Sequence, residues 1–67
     1  VDNFVFAQIL AMNVEALSVV AEVEGMKAAN DEREHRGEVI AYGEEAFAQK
    51  AHILSGIATQ MQVVSRA

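Results

Sequence analysis

The sequence predicts an all-α fold: an antiparallel helical hairpin, residues about 2–36 and 43–66, assembling with further copies into a homo-oligomeric helical bundle. Three observations predict it. Both halves of the chain carry apolar residues at helical spacing, and the only plausible reversal falls between them, where Gly37 and Gly43 bracket residues 38–42. The first half is also apolar around more of its circumference than one neighbouring helix can cover. At 67 residues without cysteine, the chain is one domain, 1–67, with the turn at about 37–42. A domain this small lacks the core to fold alone without a staple, and association supplies one.

The first segment, residues 1–23, reads as a helix with Asp2 or Asn3 as its N-cap. It is apolar enough to resemble a membrane element, yet its most apolar window holds Gln8, Asn13, Glu15 and Glu22. A charged side chain near mid-bilayer costs roughly 2.5–3.5 kcal/mol on insertion scales, so no membrane span is expected. No early Lys or Arg precedes the apolar run, so no signal peptide is expected either. On a helical wheel Gln8, Glu15, Ser18 and Glu22 share one narrow polar stripe, and apolar side chains fill most of the rest. Beyond Val23, Glu24, Lys27, Asp31 and Glu34 enter on the side held earlier by Ile9, Ala16, Val20 and Val23. The line Leu10, Val14, Leu17, Ala21, Gly25 and Ala28 continues as an apolar or small-residue seam and is expected to meet the second helix.

Gly37 follows Glu34-His35-Arg36, and a glycine just past basic residues is a helix stop, because it takes the left-handed cap without a Cβ penalty. Val39 and Ile40 are adjacent β-branched residues of weak helix propensity. Gly43 before Glu44 and Glu45 then reads as a helix start with acids in its first turn. Tyr42 and Phe47 are expected to plug the open end of the hairpin; a ligand-facing Tyr42 is the alternative.

Residues 26–47, MKAANDEREHRGEVIAYGEEAF, carry a spaced pattern of Met26, Lys27, Ala28, Asn30, Arg33, Gly37, Ala41, Tyr42, Glu44 and Phe47. This pattern resembles small uncharacterised proteins of bacteriophages and prophages. The resemblance covers about a third of the chain and implies a viral or prophage origin, with no activity to transfer. Where that family usually has Thr or Ser at the helix start, this chain has Gly43.

The second helix is a cleaner amphipath, with Phe47, Ala51, Leu54, Ile57, Ala58, Met61 and Val64 on one side and Ile53 at its edge. Glu45, Gln49, His52, Gly56, Thr59 and Gln60 lie on the other. At 1.5 Å per residue it measures about 36 Å against about 52 Å for the first, and is expected to end near Met12 or Asn13. Phe4, Phe6 and Ile9 then overhang. Phe4, Phe6, Ile9, Met12, Ala16, Val20 and Val23 are accordingly expected to form the oligomer interface. Gly25 and Gly56, inside helices, suggest close helix approach or tolerated strain.

Ten acids against five bases give a formal net charge of −5, which disfavours direct binding to nucleic acid. Folding the hairpin gathers the acids at its tip. A solvated face is the simplest account of them; the functional one is a surface of Glu38, Tyr42, Glu44 and Glu45 that docks on a basic host protein. Glu32 and His35 form a Glu-x-x-His pair which, with Glu15 or Glu22, suggests the alternative of a ferritin-like metal-binding four-helix bundle. His52 reads as a surface histidine, and no nucleophile arrangement or phosphate-cradling loop is present. The expectation is a non-enzymatic, cofactor-free, cytoplasmic protein of phage type. It would act by protein–protein binding as an inhibitor or modulator of a host system, without membrane or direct nucleic-acid contact.

Overall fold

The computed structural model describes residues 3–66. They form two helices, α1 (Asn3–His35) and α2 (Glu44–Arg66), packed side by side, with no strand among the described residues. Asn3 is already helical, so it is not the cap; Asp2, the other cap expected, lies outside the described residues.

The end of α1 follows from local chemistry. Gly37 takes φ +74°, a left-handed conformation that costs an L-residue with a side chain roughly 1–2 kcal/mol. The Gly37 amide donates to the Glu34 carbonyl at 3.0 Å and the Glu38 amide to the Arg33 carbonyl at 2.8 Å. These are the two reversed bonds of a Schellman cap, which satisfy carbonyls the helix would otherwise leave bare. A Schellman cap commonly adds an apolar contact between the residues flanking it; here Arg33 and Glu38 make an ion pair at 3.7 Å. At the other side of the loop the Gly43 carbonyl accepts from the Ala46 and Phe47 amides at 3.1 and 3.4 Å, which makes Gly43 the N-cap of α2. Glu44 and Glu45 occupy the first turn, where the helix dipole favours negative charge.

The contact between the helices is a heptad seam. On α1 the buried or half-buried positions include Val5, Ile9, Met12, Ala16, Val19, Val23, Met26 and Asn30, alternating steps of four and three. On α2 they include Phe47, Lys50, Leu54, Ile57, Met61 and Val64, alternating three and four. Such spacing keeps one stripe of each helix facing the other along the whole contact. The α2 face is the one read from sequence, except that Ala51 and Ala58 are exposed. The α1 face is not. Leu10, Val14, Leu17, Ala21, Gly25 and Ala28 are all exposed. The physical reason is continuity: the line through Val23, Met26 and Asn30 stays coverable up to the loop, whereas the line through Leu17 and Ala21 runs beside Glu24 and Asp31.

The register also differs from expectation. Lys50 Nζ donates to Glu22 Oε1 at 2.6 Å, and the Asn30 side chain pairs with the Tyr42 backbone. Counting equally along both helices from the Glu22–Lys50 pair brings Arg66 level with Phe6, not with Met12 or Asn13. The cause is the loop, which folds back along the last turns of α1 instead of crossing over their end. Phe6 and Ile9 therefore do not overhang α2.

Little of this hairpin is interior. Val19, Met26 and Ile57 are the buried hydrophobic residues among those described. The Cα radius of gyration is 16.0 Å with principal extents of 53 × 17 × 8 Å, against about 11 Å for a globule of this length. The accessible surface is 5134 Å²; a compact monomer of this mass exposes about 4,200 Å².

A Cβ added at Gly37 or Gly56 meets nothing within 4 Å, so close helix approach does not explain Gly56, and substitution at either site reports on the backbone alone. Gly56→Ala should stabilise by about 0.5–1 kcal/mol, and Gly37→Ala should destabilise by about 1 kcal/mol. Urea midpoints at unchanged m-value check both; shifts of the same sign would contradict the cap geometry.

Candidate functional site

The hairpin tip is a structure held by side chains, not a bare loop. Asn30, half-buried on the last seam position of α1, reads both main-chain groups of Tyr42. Its Nδ2 donates to the Tyr42 carbonyl at 2.8 Å, and the Tyr42 amide donates to its Oδ1 at 2.9 Å. A primary amide is suited to this, since it presents a donor and an acceptor side by side as a backbone peptide does. Three residues on, Arg33 Nη1 reaches the Val39 carbonyl at 3.5 Å. One turn from there, Arg36 donates through Nη1 to Glu32 and through Nε to Glu38, both at 2.8 Å.

The spaced pattern of residues 26–47 thus maps onto turn construction. Met26 is buried, Asn30 holds Tyr42, Arg33 holds Glu38 and Val39, Gly37 makes the cap and Phe47 starts the seam of α2. The Asn30–Tyr42 clamp is the part that periodicity could not reveal, because it joins residues twelve apart.

The expected contact residues are distributed unequally. Glu38 is tied to Arg33 and Arg36, so its charge is largely answered within the loop. Glu44 and Glu45 are exposed and make no ion pair among the described residues. Between residues 31 and 45 stand six acids, Asp31, Glu32, Glu34, Glu38, Glu44 and Glu45, against Arg33 and Arg36. The tip therefore keeps a negative field even after its internal pairs form. Tyr42 remains 39% exposed and Phe47 is half-buried, so only Phe47 packs as expected; at Tyr42 the main chain is fixed and the ring stays accessible.

Of the residues expected at an oligomer interface, Ile9, Met12, Ala16 and Val23 lie on the face turned to α2 and are half-buried within the hairpin. Phe4, Phe6 and Val20 are exposed. The remaining apolar surface of α1 is the line through Leu10, Val14 and Leu17, about 150° around the helix from the seam at 100° per residue. By length and composition α1 could also cross a membrane.

The candidate metal ligands are not brought together within the hairpin. Glu22 and Glu32 stand ten residues apart on α1, about 15 Å along its axis, and Glu15 lies farther still. Glu22 pairs with Lys50, Glu32 with Arg36, and His35 Nδ1 donates to the Asp31 carbonyl at 3.0 Å. No group of three or more His, Asp or Glu among the described residues is placed to hold a metal ion. On the outer face of α2 a shallow, largely apolar depression is lined by Glu45, Ala48, Gln49, His52 and Ile53. Glu45 and His52 lie about 10 Å apart along the helix axis, too far to share one proton directly.

Asn30→Ala should destabilise the hairpin by about 1 kcal/mol, because both Tyr42 main-chain groups lose a partner at a half-hydrated site. Asn30→Asp, which keeps the acceptor and loses the donor, should fall between. Thermal melts check the order; an Asn30→Ala protein as stable as the parent would remove the clamp from the account. Comparison of the chain with protein-family models, with curated proteins and with solved structures finds no match.

Proposed function

We propose that this chain is a non-enzymatic binding module, a helical hairpin that acts by burying its uncovered apolar surface against protein and by presenting an acidic tip to a basic partner. The observation that carries the reading is the shortage of interior. A domain whose buried hydrophobic residues among those described are Val19, Met26 and Ile57, while Leu10, Val14 and Leu17 stay exposed, keeps apolar surface that further association would remove from water. Self-association uses the apolar surface of α1, and the tip stands at the far end of the rod, free for a second contact.

The tip contact falls to Glu44 and Glu45, with Tyr42 beside them, because Glu38 is held by its arginines. A partner with a basic surface would be attracted over roughly a Debye length and held less tightly as salt rises. The phage-type pattern of residues 26–47 supports a cytoplasmic setting in a host bacterium, with an inhibitor or modulator of a host protein as the economical version of the role. Membrane insertion of α1 is the second reading, favoured by its length and apolar composition. Glu15 and Glu22 within that stretch, and the Glu22–Lys50 link to α2, weigh against it.

With the tagged chain as bait in bacterial lysate, a stoichiometric partner should be retained at low salt and released at moderate salt. The Glu44→Gln, Glu45→Gln double variant should retain it several-fold less well. Undiminished capture by that variant would remove the tip from the contact.

A further inference from the structure

The outer ridge of α1 is a second heptad seam. Ala7, Leu10, Val14, Leu17 and Ala21 follow one another at steps of three, four, three and four, the spacing that α1 uses on its other side to meet α2. Leu10, Val14 and Leu17 are 53%, 61% and 68% exposed. The ridge ends at Glu24, which pairs with Lys27 at 3.2 Å in solvent. It is thus a bounded, apolar and uncovered stripe on a helix already fixed by α2.

Its order of sizes is the same in both directions: small, large, Val14, large, small. An isologous contact requires that property, because a twofold axis through Val14 sets each half of the ridge against the other half of its copy. The ridge is free to be covered: Leu10, Val14 and Leu17 each keep more than half of their surface exposed in the hairpin, and a contact that covers them removes apolar area from water. Anionic lipid is a poor occupant by comparison, since the chain carries a net charge of −5 and residues 3–26 hold no Lys or Arg.

We infer that the occupant of this ridge is a second copy of the chain, packed antiparallel across a twofold axis at Val14, so that the two α1 helices meet at the centre of the dimer with an α2 on the outer side of each. The inference rests on the binding-module reading and names one of its partners. The dimer leaves both acidic tips at opposite ends of the assembly, because antiparallel α1 helices point their loops apart.

The chain has no cysteine, so a single introduced thiol reports cleanly on the axis. The full-length Val14→Cys protein, oxidised with glutathione disulfide, should form covalent dimers at least about tenfold faster than Val63→Cys, whose exposed site lies on α2. By sedimentation equilibrium the parent should be dimeric, and Leu17→Glu should weaken association at least about a hundredfold. A monomeric parent, undiminished association of Leu17→Glu, or equal cross-linking at both sites would overturn the inference. If the parent is monomeric but Leu17→Glu loses a captured host protein, the binding-module reading stands and the second copy is wrong. If Val14→Cys cross-linking disappears when phosphatidylcholine vesicles are added and the chain floats with them, the ridge belongs to lipid and the inference also fails.

Discussion

A helix can offer a single partner only one stripe of its surface, and α1 carries two apolar stripes. This surplus is the constraint on which the rest of the structure depends. Packing of Val19 and Met26 against the α2 face that buries Ile57 uses the first stripe and closes the hairpin, but it leaves Leu10, Val14 and Leu17 in water. Hydrophobic burial scales with area removed from water, so the folded hairpin retains a driving force for further association. The expected reliance on a partner descends from that feature of composition, while the elongated shape and small core follow from two long helices that share one seam.

The loop determines which stripe goes inside. Asn30 sits at the end of the inner seam and holds Tyr42, so the chain turns back along α1 with its register already set. Gly37 supplies the one backbone conformation that residues with a side chain resist, and Arg33 and Arg36 gather Glu32, Glu38 and Val39 around it. Individually these exposed pairs are worth little, roughly 0–1 kcal/mol each. Together they hold the tip in one shape while its unpaired acids, Glu44 and Glu45, keep their charge for the outside.

The parts of this fold that rest on local chemistry were legible in the sequence. Gly37 as a helix stop, Gly43 as the start of α2 and the inward face of α2 through Phe47, Leu54, Ile57, Met61 and Val64 each follow from residues within a turn of one another. The choice between two seams on α1 was not, because both show the same three–four spacing over residues 7–21 and differ only further along. Met26 and Asn30 decide the matter, and their importance depends on a loop contact across twelve residues that periodicity does not encode. The same contact shifted the register and removed the overhang of Phe6 and Ile9. At the tip, composition located the acids correctly but could not show that Glu38 is neutralised by its arginines while Glu44 and Glu45 are not.

If burial of the second stripe is what completes this protein, its stability must depend on its own concentration. Thermal unfolding followed by circular dichroism across a wide range of dilution tests that dependence most directly. The account predicts a melting temperature that climbs as the chain is concentrated and helicity that declines on dilution. A melting temperature independent of concentration would mean that the hairpin is complete as a monomer, and would contradict the central claim.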